Sequence, residues 1–541
     1  MSNSSFILPN AGRRYLLQNI FRFLTLSAVS LCLCFLALLV GRMVYQGANA
    51  FYSYNIHLPV NFDLSQTDIE NAEDPSIEDL KTASYTPLLQ NAILSMVPGA
   101  STFQEKRAIF RFISPEASFK LRQYVIDNPS IAGKFKKDMP FQLASSAEMF
   151  IKYERDDLKN YDFSESLFAE FDHKDFDLQK GQGVFRTKNI IAKNFKDLKC
   201  GEISEKKIIK LKCDLDRNMT SKFLRIGNVY AKIQSVTFST DGSELIHARL
   251  LTSFKGDLVR EISNWTVMTY DVPEAKRKIS DLSIVALEQF ISDGVIRTTF
   301  PNIPLLTNGD SRNPEQAGIA GSFFGSVMTL FVCLLCALPI GVCAAVYLEE
   351  FAPKNAMTEF FEVNINNLAS VPSIIYGLLG LALLLNIFGL PRSAPLAGGI
   401  VLGIMSLPVM IIATRAALRT VPQTTRDAAL ALGATHVQTF FHHTLPAAIP
   451  GIMTGAVLSL SRAIGETAPL LLIGMVAFIS DIPEGLTDTA TVLPVQIFLW
   501  TENPETGYIE RTAATIIILL GLMICMNACA VYFRNKFERK Y

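Results

Sequence analysis

Six apolar runs constrain this chain more than anything else in its sequence. They lie at about Phe23–Val40 and near residues 318–347, 362–388, 395–418, 448–479 and 512–533, and are numbered here as spans one to six. Each is long enough to cross the hydrocarbon core of a bilayer as an α-helix. Inside lipid, every backbone N–H and C=O needs a partner within its own segment, so the runs are expected to be helices. The fold class predicted is a polytopic α-helical membrane protein with an inserted soluble α+β domain. Nearly half of the 541 residues are apolar, which suits that class.

The soluble part lies between spans one and two, from about Phe51 to Pro314. Apolar residues at Ile279, Leu282, Ala286 and Phe290 follow helical spacing, with Ser280 near the start and Gly294 after the end. Strand-like runs rich in β-branched and aromatic residues occupy Lys207–Leu211, Asn228–Thr240 and Leu245–Phe254. They are read as one α+β domain or two smaller lobes. Asn308–Gln316, rich in turn formers, leads back to the membrane. The division expected is 1–50 for the N-terminus and first anchor, 51–317 for the outer domain, and 318–541 for five further spans.

Short basic segments set the orientation. Arg13, Arg14 and Arg22 precede span one and place the N-terminus in the cytoplasm. Lys354, then Arg415, Arg419 and Arg426, then Arg534, Lys536, Arg539 and Lys540 fall on the same side. Both termini are therefore expected inside and the large domain outside. Ala48-Asn49-Ala50 resembles a cleavage site, but the apolar run is too long for a signal peptide and Arg42 interrupts the approach, so an uncleaved anchor is favoured.

Composition excludes several chemistries. Formal net charge is zero, so no overall field draws the chain to nucleic acid. No G-x-x-x-x-G-K-[ST], G-x-S-x-G or H-E-x-x-H occurs, and Lys180–Gly183 has two glycines without a helix opening behind them. No enzyme activity, cofactor or metal is expected. His442 and His443 are adjacent and point to different helix faces, which does not suit metal ligation. Of nine cysteines, only Cys200 and Cys213 fall in the polar region. An outer compartment permits a disulfide between them, against the alternative of two free thiols.

Between spans four and five, residues 422–446 read as two short helices joined at Gly433. Thr425 is expected to cap the first, Gly433 to supply a positive φ, and Thr435 with Gln438 to open the second through a capping box. Leu445-Pro446 is expected to end it. Span five carries Arg462 and Glu466 at i, i+4, followed by Thr467. Charges at membrane depth are paired or face a cavity. The two are either a structural pair or the lining of a pathway where a guanidinium meets an oxyanion. Span three contains Ser370, Pro372 and Ser373, where the proline kinks or begins a helix, either as ordinary packing or beside a cavity. Span two has Gly321-xxx-Gly325 and Ser322-xxx-Ser326, a small-residue face for close helix packing.

The order Asp427-Ala428-Ala429, Gly433, Leu445-Pro446 resembles the EAA loop of ABC importer permeases, with Asp427 where that family usually has Glu and His443 where it usually has Ile. Leu338–Gly341 through Glu350, Asn367-Leu368 through Tyr376-Gly377, and Gly465–Leu470 are similar to phosphate ABC importer permeases of the PstA type. The outer domain is larger than that pattern. The resemblance implies a type I permease core of six spans in the bacterial inner membrane, with ATP hydrolysis on a partner. It also implies coupling to the ATPase through Asp427, Ala428, Ala429, Gly433, Leu445 and Pro446, and a pathway near Arg462, Glu466, Thr467, Ser370 and Ser373. The partners implied are a second, homologous permease, two copies of a cytoplasmic ATPase and a periplasmic phosphate-binding protein. Importing another oxyanion, or a membrane sensor that reads the environment without transport, are the alternatives.

Overall fold

The computed structural model describes residues 11–69, 76–97, 100, 102–164, 167–170, 182–188, 200–205, 208–215, 218–227, 229–238, 243–251, 261–262, 264–476 and 478–537. Lys180, Gly181, Lys207, Asn228, residues 239–240 and 252–254, Arg539 and Lys540 lie outside the described residues. The chain divides into a membrane unit (1–51, 303–312, 316–541) and an outer unit (52–302, 313–315).

The outer unit is α+β. Its smaller sheet has Ser53–Asn61 in the centre, flanked antiparallel by Phe135–Gln142 and Ile296–Thr299. The larger sheet is antiparallel, and its middle runs Gln182–Lys188, Ser243–Leu250, Val229–Phe238, Ser221–Ile226, Trp265–Tyr270 and Leu158–Phe163 in spatial order. Period-2 alternation gives this sheet two apolar faces. Leu224, Ala231 and Val267 join one core, and their neighbours Phe223, Tyr230 and Met268 join another that also holds the helices. The helix Asp281–Ser292 belongs to that second core. Ser280 caps it by accepting from the Ser283 N–H, and Gly294 follows its end at φ 68°.

Cys200 and Cys213 are register partners across the hairpin Cys200–Glu205/Ile208–Asp214, and Cys213 is disulfide-bonded. We expect the Cys200–Cys213 bond in the native protein, where it would contribute roughly 3 kcal/mol by restricting the unfolded chain. Alkylation without reductant followed by mass spectrometry should leave both thiols unlabelled. Full labelling of the native protein would rule the bond out.

Among the described residues of the membrane unit five helices are long and apolar enough to span, or six if one bent pair counts as a span. They are Tyr15–Phe51, Ala320–Phe351, Pro395–Arg419, His436–Gly465 and Gly507–Lys536, plus the pair Ala356–Ala369 and Ser373–Leu385. That agrees with the fold class expected, and three details differ. Span three is not one rod, because its halves meet at 98°. Pro372 lacks an N–H and biases Val371 away from helical ψ, so the helix ends at Ala369 and another begins at Ser373. Span five ends at Gly465, and the apolar stretch expected to continue to 479 leaves the helix at Glu466, whose ψ is 112°. The small face of span two lies against the segment that leads into the helix Leu493–Thr501 and against that helix's first turn. A Cβ on Gly325 would lie 2.1 Å from the Thr491 carbonyl oxygen, and Ser326 Oγ accepts from the Leu493 N–H at 2.8 Å. Small residues there let the backbone at that helix start approach closely.

Residues 303–312 group with the membrane unit and 313–315 with the outer unit, so the chain passes between the two more than once before 317. Trp500 Nε1–H donates to Asp310 at 2.9 Å, and Tyr508 O–H donates to the Ser311 carbonyl at 2.7 Å. Burial holds the Asp310 carboxyl above its usual range, against the opposing pull of the Trp500 donor.

Candidate functional site

The hairpin after span four begins with the helix Gln423–Ala431. Its N-cap is Pro422 and not Thr425, which lies within the first turn. Gln423 and Thr424 are exposed, so water can satisfy the first amides and no side-chain cap is needed. The helix closes as the glycine predicts. Gly433 adopts φ 88°, its N–H donates to the Leu430 carbonyl at 2.9 Å, and the Ala434 N–H reaches the Ala429 carbonyl at 3.2 Å. Those two bonds are the Schellman pattern, which satisfies carbonyls a helix end would leave open. Thr435 and Gln438 then form the capping box in both directions.

Leu445-Pro446 does not end the second helix. His436–Thr439 runs through a π-turn, Phe440–Thr444, directly into Leu445–Gly465. Pro446 cannot donate to an i−4 carbonyl, and the wider turn just before it makes room for its ring. The second half of the hairpin is therefore the N-terminal end of span five itself. Asp427 and Ala428 are exposed and Ala429 is buried. Leu432, which sequence reasoning passed over, is 90% exposed. A large apolar side chain held out at a rigid hairpin tip suits contact with a partner.

Sequence reasoning also missed what holds the hairpin. Glu349 and Glu350 stand at the end of span two, in the π-turn Tyr347–Phe351. Glu349 receives Arg415 Nε at 3.1 Å and Arg419 Nε at 2.8 Å. Glu350 pairs with Arg426 of the hairpin at 2.7 Å. Basic residues in this loop signalled topology, and their partners lay too far away in sequence to be paired by spacing.

The second constellation surrounds the breaks in spans three and five. Arg462 lies in the last turn of its helix and Glu466 at its C-cap, with Nε and Oε1 3.6 Å apart. Their side chains are 49% and 23% exposed, so the pair is not sealed in the core of the chain. Beyond it, Thr467 precedes the short helix Ala468–Leu472 without a side-chain capping bond. This helix meets the outer half of span three at close range: a Cβ on Gly377 would lie 2.7 Å from Pro469 Cα. Tyr376, on the same half, lies within electrostatic reach of Arg462, and its O–H crosses the elbow to the Leu368 carbonyl at 2.9 Å. Ser373 opens that half, whereas Ser370 Oγ–H bonds to the Asn367 carbonyl of its own helix at 2.8 Å. Two interrupted helices thus lie together, with backbone groups freed at each break. Such breaks at membrane depth occur where backbone faces protein or a cavity. Among the described residues no group of His, Cys, Asp and Glu could hold a metal ion.

Two family models match this chain. Residues 337–539 match "Binding-protein-dependent transport system inner membrane component", and residues 10–159 match a domain of unknown function (DUF3333). The chain is 35% identical over 193 residues to a probable ABC transporter permease protein, YqgI, of Bacillus subtilis (strain 168), covering 36% of this chain and 64% of that protein. It therefore spans less than two thirds of that relative's length. It is 34% identical over 227 residues to the phosphate transport system permease protein PstA of Mycobacterium leprae (strain TN), covering 41% of this chain and 72% of that one. The PstA protein of Yersinia pestis is 30% identical over 226 residues, with 41% and 75% covered. The matched region holds the hairpin, both broken helices and the last span, and by these relatives the chain belongs to the family of binding-protein-dependent transport system inner membrane components, the permeases of ABC importers.

Proposed function

We propose that this chain is a permease subunit of an ATP-driven importer that carries inorganic phosphate across the bacterial inner membrane. The observation that carries the proposal is the hairpin closed at Gly433 and continuous with span five, in a chain similar to PstA proteins. A chain without a phosphate-cradling ATP motif draws its energy from a partner or a gradient, and the likeness to ABC permeases favours the partner. The partners proposed are two copies of a cytoplasmic ATPase, a second homologous permease and a periplasmic phosphate-binding protein. Both termini lie in the cytoplasm and the outer unit in the periplasm.

In mechanism, closure of the ATPases pushes on Asp427, Ala428 and Leu432. No flexible linker separates the hairpin from span five, so the push tilts the whole helix His436–Gly465 and its C-terminal break. That break carries Arg462, whose planar fork can hold an oxyanion in two hydrogen bonds. Glu466 competes for the same guanidinium and keeps the anion from binding too tightly.

The test is uptake by the complex purified with its co-purifying subunits and reconstituted in vesicles. ATP-dependent phosphate uptake that excess sulfate or molybdate leaves unchanged is expected. Competition by either anion would move the substrate to another oxyanion. A chain that purifies without an ATPase would favour a sensor.

A further inference from the structure

The hairpin is joined through the chain to spans four and five alone. Spans two and three have no covalent route to it, yet an importer that alternates its access must move its spans together. The cytoplasmic ends of spans two and three are tied to the hairpin side by side chains. Arg426 Nη2 sits 2.7 Å from Glu350 Oε1 at the end of span two, and also donates to the Leu418 carbonyl of span four at 3.0 Å. Arg415 of span four reaches Glu349 of span two at 3.1 Å and Glu362 of span three at 2.5 Å. Arg419 adds a second bond to Glu349 at 2.8 Å. The rings of Phe351 and Phe440, one from each π-turn, meet edge to face with centroids 6.0 Å apart.

Exposed ion pairs add little to stability. This one is built differently: the Arg426 and Glu350 side chains are 18% and 15% exposed. The hydrogen-bonded pairs from Arg415 and Arg419 fix distance and direction between the spans they join, and the Arg426–Glu350 ion pair adds charge attraction between hairpin and span two. Both π-turns lie at the junction, and π-turns occur often at functional points of helices. We propose that Glu349, Glu350, Arg415 and Arg426 are positioning residues that transmit displacement of the hairpin to spans two and three. The proposal rests on the transporter reading above and adds to it the residues through which ATP closure reaches the spans the hairpin does not join.

The experiment compares reconstituted complexes carrying Glu350→Arg, Arg426→Glu and both together. The readouts are the ATPase that co-purifies, ATP hydrolysed, and phosphate carried per ATP. Each single variant is expected to keep its ATPase, because Asp427, Ala428 and Leu432 are untouched. Its phosphate carried per ATP should fall roughly fivefold or more, the low end of couplings between linked sites. The double swap restores the ion pair with reversed sign and should recover most of the loss. A purely structural pair would lower the assembled amount and leave phosphate per ATP unchanged. Should a single variant fail to assemble, the neutral pair Glu350→Gln, Arg426→Gln strands no charge, and the same fall in phosphate per ATP is expected of it. Unchanged phosphate per ATP in an assembled variant, or a swap no better than the single variants, overturns the clamp alone. An unaltered complex that holds no ATPase overturns the transporter reading and the clamp with it.

Discussion

Gly433→Pro is expected to leave the chain in the membrane and to abolish phosphate-stimulated ATP hydrolysis by the complex. Proline fixes φ near −65°, whereas Gly433 stands at 88°. The change also deletes the N–H that bonds to Leu430 and misplaces the Ala434 N–H that bonds to Ala429. The combined cost is about 3 kcal/mol or more, enough to reshape a two-helix hairpin that tertiary contacts hold on one side only. A Cβ on Gly433 would meet nothing within 4 Å, so the effect comes from backbone conformation and not from crowding. That gives a control. Gly433→Asn should keep most of the coupling, because asparagine tolerates a positive φ better than other non-glycine residues. Substrate-stimulated hydrolysis, measured on complexes normalised to the ATPase they retain, decides the matter. Equal stimulation by the proline variant, with normal assembly, would mean that the ATPase does not read the shape of this hairpin.

The Arg462→Met, Glu466→Leu double variant should assemble normally and carry little phosphate. The pair is long at 3.6 Å and its arginine is half exposed, so removing both charges together strands neither and is expected to cost little stability. A pathway role predicts a different loss. Hydrogen bonds to charged groups contribute about 1.5–3 kcal/mol, so uptake per assembled complex should fall by roughly ten- to a hundredfold. Each single variant should be worse assembled than the double, because it leaves one unpaired charge at membrane depth. Uptake close to normal in the double variant would leave a structural pair and no pathway role.

Local rules read the hairpin well where the rule was backbone-local. A glycine after an apolar helical run, and a threonine three residues before a glutamine, determine φ and capping whatever surrounds them. Gly433, Thr435 and Gln438 behave accordingly. The same kind of rule failed at Thr425, because an exposed helix start finds water and needs no side-chain oxygen. It failed at Leu445-Pro446 as well, where a π-turn allowed the helix to run on through the proline. At Pro372 the proline broke the span, with Tyr376 tying the two halves across the elbow.

By itself, then, the sequence determined the approximate position of the membrane segments and the conformation of the hairpin's turn. Apolar length and glycine's freedom of φ act within one stretch of chain, and these features depend on nothing else. Tertiary structure alone decided which half of span three meets the break in span five, and that the small face of span two receives the segment leading into the helix Leu493–Thr501. It also decided that Glu349 and Glu350 hold Arg415, Arg419 and Arg426 from sixty residues or more away. Those partnerships form because, in a low-dielectric setting, each charge must find an opposite one, and only the packed helices bring candidates within reach.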